Sequence, residues 1–167
     1  VLQVDEGADT FISTTILKNG FPMHSDGLNH SMPYADVIDG IFIYRTWIPY
    51  YLQAISFQLM GKNTFAARLP FAMAGLFSIF YLYVFAFRLT QLRRVAVFAA
   101  TFLATSVPVI LYFRTSRYIA LPILLTPILL LFYIDIFEKQ KWDPIPFTVT
   151  SVIYFHTCLL YTSDAAD

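Results

Sequence analysis

Three apolar stretches, residues 70–87, 95–113 and 119–137, constrain this chain more than any other feature. Each is long enough to cross a bilayer, which takes about 17–25 mostly apolar residues. None contains Lys, Arg or Glu, and Asp135 lies only near one end of the third. In hydrocarbon a backbone must satisfy its own polar groups, so such segments are expected as helices. Composition agrees: 57% of residues are hydrophobic and 13% charged, against about 25% charged in soluble domains. A fourth apolar run, from Phe147, stops short. The expected fold class is all-α: a polytopic transmembrane helical bundle with amphipathic juxtamembrane helices in a large first extracytoplasmic loop. Pro108, Pro122 and Pro127 are expected to kink their spans.

The chain opens at Val1 without an initiator Met or a signal-peptide pattern and reads as a fragment. Residues 1–157 read as a partial transmembrane domain, with 1–69 the extracytoplasmic loop and 70–157 the membrane helices. Residues 158–167, CLLYTSDAAD, resemble a translated sequencing-library adapter and are expected to be an artefactual tail. Cys158 then supports no disulfide or redox inference. Dropping Asp164 and Asp167 leaves a mildly basic chain.

Residues 1–46 are polar and mixed. Ala8, Phe11, Ile12, Ile16 and Leu17 recur at helical spacing, which predicts an amphipathic helix over 6–19. Lys18, Asn19, Gly20 and Pro22 supply its stop. Residues 22–40, rich in Gly, Pro, Ser, Asn and Asp, read as loop. Residues 47–60 are apolar but short, and Trp47, Tyr50 and Tyr51 favour a helix in the membrane interface, stopped at Gly61. Arg88, Arg93, Arg94, Lys139 and Lys141 fall in short loops on one side of a three-span count, the cytoplasmic side. Lys18, Arg45, Lys62, Arg68, Arg114 and Arg117 fall on the other side, against that rule, which raises the question of what they bind.

The order of elements resembles a known family. An acidic pair, Asp5-Glu6, precedes a helix ending Lys18-Asn19-Gly20, then Pro22. A Tyr- and Pro-containing apolar helix follows over 44–61. Ala67-Arg68-Leu69-Pro70 then leads into small residues Ala72, Ala74 and Gly75. Arg114-Thr115-Ser116-Arg117-Tyr118 comes later. This is similar to the N-terminal part of a polytopic C-type-fold glycosyltransferase, within the protein O-mannosyltransferase and aminoarabinose-transferase branch. The resemblance implies transfer of a sugar from a polyprenyl-phosphate-linked donor to an acceptor hydroxyl, at the extracytoplasmic face of a prokaryotic plasma membrane. It implies a multi-pass protein that contacts membrane lipids and takes the lipid-linked sugar as substrate, with no cofactor named and metal dependence left open. The acceptor, whether protein, lipid or glycan, is left open.

For the residues themselves, the resemblance implies that the pair Asp5 and Glu6 is catalytic. Asp5 is preferred as the base that deprotonates the acceptor, with Glu6 supporting it or binding the acceptor. From the residues alone, the same acids serve equally as a helix cap. The resemblance likewise implies that Arg68 holds the donor phosphate, where a guanidinium fork fits two phosphate oxygens. The plain alternative is a helix-end arginine reaching to lipid headgroups. Arg114 and Arg117, at i and i+3, would share a helix face. With Tyr118 they are expected at the donor, or paired with Asp5, Glu6 or Asp9, unless they only anchor the interface. His24 and His30 have no metal-ligand spacing. No glycine-rich phosphate loop, no Ser/His/Asp order and no nucleic-acid-type basic patch is present, so neither a nucleotide-sugar donor nor a nucleic-acid partner is supported. Two other classes stay open: a transporter or flippase-like protein for lipid-linked substrates, and a non-catalytic membrane scaffold. An acidic pair beside a polar loop favours the transferase over both.

Overall fold

The computed structural model describes residues 4–31, 37–43, 45–139 and 144–157. The side chain of Asp5, the loop position Lys141 and the adapter-like tail lie outside the described residues. Seven helices and one short hairpin are described: α1 (Val4–Asn19), β1 (Val37–Ile38), β2 (Ile41–Phe42), α2 (Ile48–Met60), α3 (Thr64–Thr90), α4 (Arg93–Thr105), α5 (Val107–Arg114), α6 (Ala120–Lys139) and α7 (Pro144–Thr157). The expected all-α membrane architecture is present.

α3 is the long apolar helix of the fold and has the length and composition of a membrane span. It starts earlier than the apolar run itself. Asn63 caps it, its side chain accepting from the Ala66 N–H at 2.8 Å. Pro70 is accommodated two turns in. The helix therefore takes in Ala66, Ala67 and Arg68 as its opening turns, which puts Arg68 on the rigid span and not in a linker. Only 28% of the span's most apolar window is buried within the protein, and Phe77 and Phe80 are exposed on it, as suits a lipid-facing surface.

The expected single span over 95–113 is instead two helices, α4 and α5, bent by 61° at Ser106. Pro108 explains the break: it has no N–H for the helix ladder and its ring clashes with the carbonyl four residues back. Ser106 leaves helical geometry, with φ −68° and ψ 111°. The bend turns Phe113 back onto α3, where Gly75 receives it. A Cβ at Gly75 would overlap the Phe113 ring. Phe113 joins Phe71, Ala74, Ala120 and Leu121 in one buried cluster. α6, also apolar, packs along α3, and Arg88 near the far end of α3 meets Asp135 of α6 at 2.6 Å.

α1 and α2 pack together at the other end of α3. Ile12, Ile16, Phe42, Tyr50 and Ala54 form their shared core. Gln53, 1% exposed, links three helices: it accepts from Ser13 at 2.6 Å and donates to Thr10 at 3.3 Å and to the Ala67 carbonyl at 3.1 Å. Ser56 donates to the Ala66 carbonyl at 2.7 Å. The buried hydroxyl and amide groups between these helices are thus paired, as buried polar groups must be. Gly20 and Gly61 stop α1 and α2 where the sequence places those stops. The segment read as loop, 22–40, contains β1 and the turn at Asp39 and Gly40, both at positive φ, that joins it to β2.

Candidate active site

The buried face of α1 carries acids. Glu6, Asp9, Ser13 and Ile16 follow one another at helical i+3 and i+4 spacing, and all four are buried. Leu17, expected on the apolar face, is 37% exposed. The face was legible as helical, but its polar lining was not. A buried carboxylate is costly unless paired and hydrogen-bonded, and both acids find arginines from distant elements.

Glu6 is fully buried. Arg68 grips it with two donors, Nε to Oε1 at 3.1 Å and Nη2 to Oε2 at 2.8 Å. The backbone N–H of Ser116 donates to Oε1 at 2.8 Å. This one carboxylate thus joins the start of α1, the start of α3 and the 115–119 turn that connects α5 to α6.

One turn along α1, Asp9 is 4% exposed. Arg45 Nη1 lies 3.0 Å from Oδ1 and 3.2 Å from Oδ2, and the Tyr50 hydroxyl donates to Oδ1 at 3.1 Å. The Arg45 guanidinium sits 5.9 Å from the centroid of the Tyr118 ring, within cation–π range. Burial pushes the Tyr50 phenol up, and the neighbouring Asp9 charge pushes it further, so it stays a neutral donor. Burial works against the Arg45 charge, but Asp9 together with Tyr50 and Tyr118 more than offsets that. Asp9, Arg45, Thr46, Tyr50, Gln53, Ser116 and Tyr118 line a small recess here, closed below by Pro49 and Phe71.

The structure therefore brings Glu6, Arg68 and Tyr118 to one end of the bundle. Arg114 and Arg117 do not share a helix face: α5 ends at Arg114, which is exposed, and Arg117 is half-buried in the turn beyond it. Glu6 is held by Arg68, from the opening turns of α3, where the sequence reading offered it Arg114 or Arg117. Arg45, Tyr50, Gln53 and Ser116 were not read from the sequence as site residues. Arg45 and Asp9 did leave a trace: one was a base on the unexpected side of the membrane, the other an acid three residues after Glu6. His24 lies in the loop after α1, its Nδ1 2.9 Å from the Ser31 hydroxyl and its ring 5.4 Å from that of His30.

No curated protein and no solved structure matches the chain. A family model does match, over residues 45–156. That span includes Arg45, Arg68 and the whole 115–119 turn, while Asp5, Glu6 and Asp9 precede it. With the helical membrane architecture and the acid–arginine junction in place, the chain belongs to the dolichyl-phosphate-mannose-protein mannosyltransferase family, a family of membrane glycosyltransferases.

Proposed function

We propose that the protein transfers a sugar from a polyprenyl-phosphate donor to an acceptor hydroxyl at the extracytoplasmic face of the membrane. The observation that carries this reading is the Glu6 junction. It ties the start of α1, the helix whose sequence includes Asp5, to the arginine-bearing start of α3 and the 115–119 turn. Acid and base are thereby held at one end of apolar helices, where a lipid-anchored donor would present its headgroup.

In this reading Asp5 is the general base. It takes the proton of the acceptor hydroxyl as the acceptor oxygen attacks the sugar's anomeric carbon. The bond from that carbon to the phosphate oxygen breaks, and polyprenyl phosphate leaves. Base catalysis of this kind contributes about 10²–10⁴-fold. Glu6 supports Asp5 from its buried position, because its oxygens are already engaged by Arg68 and Ser116. Among the described residues Arg68 bonds through Nε and Nη2 only, and its side chain is 33% exposed, which leaves Nη1 to meet another anion. Arg68, Arg114, Arg117 and Tyr118 are assigned to the donor phosphate, for which a guanidinium is suited by shape and permanent charge. The test is transfer by the full-length enzyme in lipid nanodiscs, supplied with polyprenyl-phosphate mannose or a nucleotide sugar. Transfer from the lipid donor alone supports the reading. Movement of that lipid across a bilayer without transfer to any acceptor would favour a flippase instead.

A further inference from the structure

Ser116 carries two hydrogen-bond donors, and the described fold uses one. Its backbone N–H donates to Glu6. Its hydroxyl is buried, in a residue 2% exposed, and has no hydrogen-bond partner among the described residues. Buried hydroxyls are nearly always partnered, so one that is not calls for an explanation.

The surroundings supply one. Ser116 lines the recess shared with Asp9, Arg45, Tyr50 and Tyr118. The interior of that recess has a volume of about 10 Å³, near the minimum for one water-sized group. It is too small for a phosphate and large enough for a single hydroxyl. Its charge points the same way. The Arg45 guanidinium is matched by the Asp9 carboxylate at 3.0 Å, and the remaining lining groups are hydroxyl, amide, aromatic or apolar. A phosphate would place its charge beside Asp9 with no cation but the paired Arg45 among the described lining residues. A sugar hydroxyl can both donate and accept, as this mixed lining requires.

We propose that the recess is a hydroxyl subsite: it takes one hydroxyl of the donor's sugar ring, with Ser116 Oγ as its direct partner, and so helps decide which sugar is transferred. This rests on the transferase reading above and adds a specificity-determining residue to it. Arg68, Arg114 and Arg117 remain the phosphate side of the site, the recess is the sugar side, and Tyr118, which lines the recess, stands between the two.

The test uses the full-length enzyme with polyprenyl-phosphate mannose and the set of its monodeoxy analogues. Ser116→Ala keeps the backbone bond to Glu6 and removes only the hydroxyl. For the parent donor its KM should rise roughly threefold to tenfold, the range for one lost neutral hydrogen bond. For the one analogue lacking the bound hydroxyl, wild type and variant should give the same KM. The melting temperature of the ligand-free variant should not fall, since the deleted group has no hydrogen-bond partner among the described residues. Equal KM changes for every analogue, no change for any, or a lowered melting temperature would overturn the subsite and leave the transferase reading standing. Absence of transfer by the wild type from any of these donors would overturn both.

Discussion

Arg68 and Glu6, 62 residues apart in the chain, form a two-point ion pair with Glu6 wholly buried. The pair anchors the first helix to the first long span, and the Ser116 N–H completes it from a third segment. A carboxylate so enclosed is poorly placed to accept a proton from a diffusing substrate. Its consequence is positional, and it separates the roles of two adjacent acids.

Arg68→Ala should destabilise the protein by about 2–3 kcal/mol. Breaking a buried pair typically costs about 3–5 kcal/mol, and the partial exposure of Arg68 reduces that through solvent screening. Arg68→Lys keeps the charge but not the fork, and should recover only part of the loss. Thermal unfolding in detergent measures both. A variant as stable as wild type would show that the junction contributes little to the fold.

Tyr50→Phe tests the second acid site. The folded phenol holds its proton more tightly than the unfolded one, because of burial and Asp9. An acid with a raised folded pKa contributes stability that is intact below its unfolded pKa. As pH rises past about 10, the unfolded phenol ionises while the folded one does not, and that stability is progressively lost. Wild type should therefore lose stability more steeply above pH 10 than Tyr50→Phe. At neutral pH the variant should lose about 1.5–3 kcal/mol, as for a hydrogen bond to a charged group. Denaturant titrations at pH 7 and pH 10.5 compare the two.

Much of this fold was legible in the sequence. The apolar runs gave the helices, and Lys18-Asn19-Gly20 and Gly61 gave two of the stops. The kink at Pro108 was expected, but not that it would end one helix at Ser106 and start another, because apolar periodicity continues through the break. The hairpin was overlooked although Asp39-Gly40, between apolar pairs, is a strong turn signal. Glu6 and Arg68 were both singled out, but not as partners. Which arginine meets which acid depends on how α1 packs across α3, and no local pattern encodes that. Ser116 was hidden for another reason: its contribution to Glu6 is made by backbone, which any residue other than proline could provide.

Gly75→Ala should disturb the site from a distance. The added methyl would displace Phe113, at an overpacking cost of about 1–3 kcal/mol. Since α5 leads into the 115–119 turn, transfer should fall along with thermal stability. Phe113→Leu added to Gly75→Ala should restore part of both. Unchanged stability in Gly75→Ala would show that α5 can move away from α3 freely.

The membrane orientation can be tested on single-cysteine variants at His30 and Gln91. A membrane-impermeant thiol reagent added outside should label position 30 and not position 91. The reverse pattern would place the acid–arginine end of the bundle on the cytoplasmic side.

The division of labour between Asp5 and Glu6 is the central claim, and single-turnover transfer in the full-length enzyme tests it most directly. Asp5→Asn should lower the transfer rate by about 100-fold or more with the melting temperature unchanged. Glu6→Gln should lower the melting temperature, because Arg68 loses its charged partner. Near-normal transfer by Asp5→Asn, with loss of transfer but full stability in Glu6→Gln, would contradict the account and make the buried acid the base.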